Sequence, residues 1–403
     1  MSILSGKHIV LGVTAGIAAY KTAFLVRLLT KAGADVRVVM TPAAKEFITP
    51  LTLSTLSNHP VISNFTNEED ENAVWNNHVE LGLWADLFII APATANTLSK
   101  MVSGNSDNFL IATYLSAKCP VYFAPAMDLD MYKHPTTQTA LKTLQSYGNI
   151  LIPSAFGALA SGLVGMGRMA EPETIVETIE AHILENLPLY GKKILVTAGP
   201  TYEAIDPVRF IGNHSSGKMG IEIANSAARH GAEVILITGP THYKADSSRV
   251  STLPVFSAKE MYDTVHQYFK SVDAAILSAA VADYRPKNTS LSKIKKTSQS
   301  LSITLEKTED ILASLGAQKT TQFLVGFALE TDSETENAIK KLKSKNLDLI
   351  VLNSLNDLGA GFGVATNKIT IIDKELKQTE YPLKPKAEVA DDILSELIKR
   401  SDG

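Results

Sequence analysis

The sequence predicts an α/β protein made of two doubly wound domains, and three observations point there. First, two strand–loop–helix openings stand far apart in the chain. One runs through His8–Val13, the small-residue turn Thr14-Ala15-Gly16, and an apolar-periodic helix to Leu29. The other runs through residues 194–198, a long polar loop over 199–220, and a helix over 221–229. Second, each opening leads to another short apolar strand, Asp35–Met40 or Glu233–Thr238, with Gly33 or Gly231 near the helix end. Third, 403 residues are many for one domain and natural for two.

The remaining elements follow the same alternation. Further strands are expected at residues 86–91, 121–124 and 150–153 in the first half. In the second half they are expected at 274–279, 323–327, 348–352 and 368–372, the last as an antiparallel partner at an edge. Segment 171–192 carries a short helix, then Pro188, Tyr190 and Gly191. It separates a domain over 1–190 from one over 191–403. Residues 287–307 are rich in Ser, Thr and Lys, as expected of a flap or an extended arm.

Composition narrows the function classes. Hydrophobic residues make up 45% and charged residues 20%, the balance of an ordinary globular protein. A net charge of −4 gives no electrostatic case for nucleic acid. Cys119 stands alone, which excludes an intrachain disulfide framework and a cysteine-based zinc site. No apolar run is long enough to span a bilayer and no charged leader precedes one, so a cytoplasmic protein without a membrane partner is expected.

In the first half, loops 13–18, 40–44 and 91–97 fall at strand ends. They hold Gly16, Ile17 and Ala18, then Thr41, then Thr94, Ala95 and Asn96. Small residues and hydroxyls beside helix starts let backbone approach a phosphate or a flat heterocycle. Helix capping alone would explain any one of them. Three on one sheet edge favour a ligand, and without a G-x-G-x-x-G sequence FMN fits better than NAD. His78 is a surface or capping residue on the bland reading and a general base on the sharper one. Met127 and Asp128 follow a strand directly. Residues 162–168, with Gly165, Gly167 and Arg168, read as a Gly-rich loop able to fold over a phosphorylated substrate, or as an ordinary surface loop.

In the second half, loop 199–220 offers backbone N–H groups, Ser215, Ser216 and Lys218 to a phosphate at a helix N-terminus. Residues 280–284 (Ala-Val-Ala-Asp-Tyr) and Lys293-Ile294-Lys295-Lys296 are further distinctive runs. A Lys-rich arm is most often only solvated, Asp283 could be a helix cap and Phe327 could be core.

Together these motifs carry a resemblance over essentially the whole chain. It is similar to the bacterial bifunctional family that combines phosphopantothenoylcysteine decarboxylase with phosphopantothenate–cysteine ligase in coenzyme A biosynthesis. Residues 14–20, Asn77-His78, 91–97, 125–127 and 165–169 resemble the decarboxylase; loop 199–220, 280–284 and 293–296 resemble the ligase. The resemblance implies two Rossmann-like domains: an N-terminal flavodoxin-like flavoprotein domain, and a C-terminal ligase domain with a mainly parallel sheet. For the first it implies redox-neutral use of FMN: the substrate thiol is oxidised to a thioaldehyde, CO₂ leaves, and the electrons return to give 4′-phosphopantetheine. His78 corresponds to the family's active-site His, and Arg168 is a partner for carboxylate or phosphate. Two positions depart from the family: Asp128 stands for an Asn that holds the substrate carboxylate, and Ser161 for a Cys that donates a proton. An ionised Asp128 would repel a carboxylate unless protonated or paired, and Ser161 could donate only within a relay.

For the second domain the resemblance implies that CTP activates 4′-phosphopantothenate as an acyl-cytidylate before the cysteine amine attacks. Leu277, Ser278, Ala279, Asp283, Asp310, Ile311, Phe327 (at a strand end), Lys341 and Lys345 would lie at the nucleotide. The last two are four apart and so share a helix face. Asn213 would handle the intermediate, Lys293 the cysteine attack or the nucleotide, and Mg²⁺ would bridge phosphates, its protein ligands unassigned. Homo-oligomers are also implied, with trimers of the first domain and dimers of the second. An alternative keeps only the ligase, with the first domain a non-catalytic flavin-binding or regulatory module.

Overall fold

The computed structural model describes residues 2–66, 75–295, 301–354, 356–357, 359–361 and 363–401. It divides into two compact units, Met1–Leu184 and Glu185–Gly403.

The first unit is a five-stranded parallel sheet. Its strands are β1 (His8–Val13), β2 (Asp35–Met40), β3 (Leu87–Ala93), β4 (Val121–Pro125) and β5 (Ile150–Leu151), in the order β2-β1-β3-β4-β5. Every residue of β3 is buried, as a parallel strand covered on both faces requires. One face packs on α1 (Thr22–Lys31), α2 (Pro50–Ser57) and α8 (Pro172–Glu185) through Leu25, Leu29, Leu53, Ile175 and Ile179. The other packs on α3 (His78–Trp84), α4 (Ala95–Ser103), α5 (Phe109–Ser116) and α7 (Pro135–Ser146) through Leu81, Leu98, Phe109 and Leu141. The five-residue α6 (Leu129–Lys133) precedes α7.

The Gly-rich stretch 162–168, expected as a loop, is largely a strand. β6 (Ala155–Ala158) and β7 (Val164–Arg168) form an antiparallel hairpin. Its glycines serve close approach rather than flexibility. Gly167 has φ +128°, and a Cβ there would meet the Met127 carbonyl oxygen at 2.4 Å. The bare backbone instead lets Met127 N–H donate to Gly167 O at 2.9 Å.

The second unit holds an eight-stranded sheet, ordered β12-β11-β8-β13-β16-β17-β18-β19. Its strands are β8 (Lys193–Ala198), β11 (Glu233–Thr238), β12 (Val250–Pro254), β13 (Ala274–Leu277), β16 (Phe323–Glu330), β17 (Leu349–Ser354), β18 (Thr366–Asp373) and β19 (Gln378–Pro385). The first six are mutually parallel, and β18 and β19 each reverse direction. Residues 368–372 are therefore antiparallel as expected, but the edge belongs to β19. Pro382 and Pro385 suit that edge, where a missing N–H costs no ladder bond. Helices α9 (Lys218–Arg229) and α13 (Lys386–Ser401) cover one face; α10 (Ala258–Phe269), α11 (Ile311–Gln318) and α12 (Glu334–Ser344) cover the other.

Loop 199–220 contains a short antiparallel ribbon, β9 (Tyr202–Ala204) with β10 (Phe210–Gly212). The 287–307 arm departs from a second ribbon, β14 (Tyr284–Pro286) with β15 (Leu305–Lys307). Its start lies beside the first, with Ser290 N–H donating to Ile205 O at 3.0 Å. Lys296 lies outside the described residues.

Candidate functional sites

A cavity of about 920 Å³ opens at the carboxyl ends of the first sheet's strands. The three small-residue loops converge there: Gly16, Ile17, Ala18, Thr41, Thr94, Ala95 and Asn96 all line it, as do Met127, Asp128 and Arg168. The Thr41 hydroxyl is buried with no hydrogen-bond partner among the described residues. Thr94 is the N-cap of α4, yet its side chain accepts no first-turn N–H. Orphan polar groups beside an open cavity suit a polar ligand.

Arg168 is not a free cation. Its Nη2 donates to Glu171 Oε1 at 2.6 Å, and Lys21 Nζ reaches the same oxygen at 2.9 Å. Lys21 is only 5% exposed and also donates to Met169 O at 3.2 Å. The Lys21 hydrogen bond chiefly holds the Glu171 carboxyl below the usual carboxylate range. Asp128 caps α6, accepting from Leu129 N–H at 2.6 Å.

His78 and Ser161 are not among the residues lining this cavity. His78 begins α3, which Asn77 caps by accepting from Val79 and Glu80 N–H at 3.1 Å each. Its ring lies among Phe65, Trp75 and Phe109, and its buried Nδ1 has no partner among the described residues. Ser161 is exposed at the β6–β7 turn, which the Leu159 N–H to Leu163 O bond closes at 2.8 Å. Sequence reasoning missed Lys21 and the Lys100–Asp107 pair, joined at 2.5 Å on the cavity wall. Lys21 could have been noticed, because it stands at the N-cap of α1, four residues before the buried Leu25.

The second unit has its own cavity, about 780 Å³, again at strand ends. Asn213, Leu277, Ser278, Ala279, Asp283, Asp310, Ile311, Phe327, Lys341 and Lys345 line it, with Ser215, Ser216 and Lys218. Asn213 Nδ2 donates to Ala280 O and Val281 O at 3.0 and 3.1 Å, fastening the 199–220 loop to the segment after β13. Asp310 caps α11 by accepting from Ala313 N–H at 2.9 Å and pairs with Lys345 Nζ at 2.7 Å. Lys341 Nζ donates to Phe327 O at 2.7 Å, and burial lowers its pKa. Phe327 sits within β16 rather than at its end, because that strand continues to Glu330.

Lys293 is exposed and does not line the cavity. Its neighbour Ile294 is gripped on both sides: its N–H donates to the buried Asp206 at 3.1 Å, and its carbonyl accepts from Arg209 Nη2 at 2.8 Å. Arg209 chiefly holds the Asp206 carboxyl well below the usual range. Sequence reasoning missed Lys386, Asn353 and Asn367 on the cavity wall. No group of three or more His, Cys, Asp or Glu suited to a metal occurs among the described residues. No helix there is long and apolar enough to cross a membrane.

Residues 2–184 match the family described as flavoprotein, and residues 189–400 match the DNA/pantothenate metabolism flavoprotein C-terminal domain. Fold and sites thus define a class, a flavoprotein domain followed by a pantothenate-metabolism domain. Cysteine/Cysteine sulfinic acid decarboxylase, from an unknown prokaryotic organism, is 53% identical over 87% of this chain and 99% of its own length. Coenzyme A biosynthesis bifunctional protein CoaBC of Bacillus subtilis (strain 168) is 43% identical over 99% of this chain and 98% of its own. Its counterpart in Haemophilus influenzae is also 43% identical, over 98% of each. The chain belongs to this bifunctional family of coenzyme A biosynthesis, with a decarboxylase domain and a ligase domain.

Proposed function

We propose that the first cavity takes FMN and the cysteine-derived substrate, and that the second takes CTP with 4′-phosphopantothenate. The observation that carries this reading is convergence: segments 213–218, 277–283, 310–311, 327 and 341–345 reach one cavity at strand ends.

The first cavity fits a flavin mononucleotide. Thr41 offers an unpaired hydroxyl, the α4 N-terminus offers N–H groups to a phosphate, and Gly16 presents bare backbone. A bound flavin supplies a reversible two-electron acceptor for the substrate thiol. Arg168, shared with Glu171, holds the substrate's carboxylate or phosphate. Asp128 must be protonated or face a cation to sit near that carboxylate. His78 as base and Ser161 as proton donor lie outside this cavity's lining, so on this reading they serve it from a neighbouring copy of the chain in the homo-oligomer.

In the second cavity the 4′-phosphopantothenate carboxylate attacks the α-phosphorus of CTP. The bond to the bridging oxygen breaks, and pyrophosphate leaves with its electron pair. The cysteine amine then attacks the acyl carbon and CMP departs. Asn213 positions the acyl-cytidylate; Asp283 and residues 277–279 hold the nucleotide with Asp310, Ile311 and Phe327. Lys341 and Lys345 balance negative charge, and Lys293, which lies outside the lining, would have to reach the cavity to assist nucleotide binding or amine attack. Mg²⁺ would join the phosphates of the nucleotide, its protein ligands unassigned. Homo-oligomers, trimeric through the first domain and dimeric through the second, and a cytoplasmic location complete the reading.

A second reading concerns the decarboxylase substrate. The relative at 53% identity is named for cysteine and cysteine sulfinic acid, and Asp128 and Ser161 replace the expected Asn and Cys. On that reading the first domain acts on a free cysteine-type acid. CO₂ release from 4′-phosphopantothenoylcysteine, cysteine and cysteine sulfinic acid, each offered alone, separates the two. The first reading requires release from 4′-phosphopantothenoylcysteine. Release only from the small acids supports the second, and release from none leaves a non-catalytic domain.

A further inference from the structure

The two faces of the second sheet bring different chemistry to one cavity. From the face covered by α11 and α12 come Asp310, Lys341 and Lys345, with the carboxylate and one lysine paired. From the face covered by α9 and α13 come Lys218 and Lys386, the first residues of those helices. The topology explains their meeting. Because β18 and β19 each reverse, β19 runs parallel to β17 and delivers Lys386 to the edge where β17 ends.

Lys386 is 4% exposed. An ammonium has three donors, and among the described residues Gly361 O, at 3.1 Å, is the one acceptor it reaches. Neither Lys386 nor Lys218 pairs with a carboxylate among the described residues; Lys218 only lies over the Tyr243 ring, 5.7 Å from its centre. A link of contacts joins the two starts. Gly361 N–H donates to Asn367 Oδ1 at 3.5 Å, and Asn367 Nδ2 lies 4.0 Å from the sulfur of Met219, next to Lys218. Burial, and then the charge of Lys218, lower the Lys386 pKa. A buried cation with spare donors beside a second cation needs an anion. The α9 N-terminus adds to this need: its N-cap Gly217 has no side chain, and Ser216 Oγ accepts from Lys218 N–H at a long 3.5 Å.

We propose that Lys386, with Lys218, forms a polyphosphate-binding end of this cavity and holds the phosphoryl groups that depart as pyrophosphate. This deepens the CTP reading and rests on it. Lys386 binds and charge-balances the leaving group; the base and the acyl carbon lie with the other face.

The test measures binding of inorganic pyrophosphate and of cytidine to the full chain, wild type against Lys386→Gln and Lys386→Arg. Gln keeps a donor for Gly361 O and removes the charge. The expected result is roughly tenfold or greater loss of pyrophosphate affinity in Lys386→Gln, partial recovery in Lys386→Arg, and unchanged cytidine affinity. Unchanged pyrophosphate affinity in Lys386→Gln overturns the proposal. So does equal weakening of cytidine and pyrophosphate, which marks a general packing defect. If Lys386→Gln does not fold, Lys218→Gln decides by the same comparison. Wild-type protein that binds pyrophosphate but releases none from CTP contradicts the nucleotide reading and leaves the anion site standing.

Discussion

Lys345 and Asp310 meet at 2.7 Å, tying the end of α12 to the start of α11 at the rim of the second cavity. Asp310 does two jobs, because its other oxygen caps α11. Burial pushes its pKa up, but the Lys345 hydrogen bond helps bring it below the usual value. Asp310→Asn keeps an acceptor for the cap and loses the charge; Asp310→Ala loses both. Thermal melts should show little change for Asn and a loss of about 1 kcal/mol for Ala. Both should raise the KM for CTP in a pyrophosphate-release assay.

Gly167→Ala should damage the first cavity from behind. Its Cβ would meet Met127 O at 2.4 Å, at a backbone angle that favours glycine. The expected cost is roughly 1–3 kcal/mol of stability, read from urea unfolding, together with weaker flavin retention through gel filtration. Retention equal to wild type would show that the hairpin can move off residue 127 without loss.

The shared carboxylate of Glu171 gives a pH signature. Its folded pKa is lowered, chiefly by Lys21. Its contribution is therefore present above the unfolded carboxyl value of about 4.3 and is lost as pH falls through the lower folded value. Glu171→Gln should destabilise the protein at pH 7 and approach wild type as pH falls below about 4. Urea titrations across that range check the sign. The same variant should raise the KM of decarboxylation, since Arg168 loses its anchor.

Asn213→Asp should separate the two activities. Both Nδ2 donors to Ala280 O and Val281 O would vanish, and a charge would face those carbonyls. Ligation should fall on the order of a hundredfold, while CO₂ release by the first domain stays near wild type. Parallel assays on one preparation read both.

These residues show what the sequence discloses and what it hides. The two sheets were legible because fully buried parallel strands read as short apolar runs, such as 87–93. The lining loops were legible because small residues and hydroxyls recur at strand ends. The β6–β7 hairpin was hidden because its glycines serve close packing, which resembles looseness in one dimension. β19 was hidden by two prolines and alternating exposure, the marks of an edge. Lys386 follows that strand, 168 residues after Lys218, and only the double reversal of β18 and β19 brings them to one cavity. The separation of His78 and Ser161 from the first cavity's lining was equally invisible, since motif matching carries no distances.

The central claim, that ligation feeds decarboxylation, is tested most directly with cysteine carrying ¹⁴C in its carboxyl group. The purified chain is given this cysteine with 4′-phosphopantothenate and CTP, and released ¹⁴CO₂ is counted. The account predicts label in CO₂ only when both co-substrates are present. Equal release from cysteine alone, or no release from the complete mixture, would contradict it.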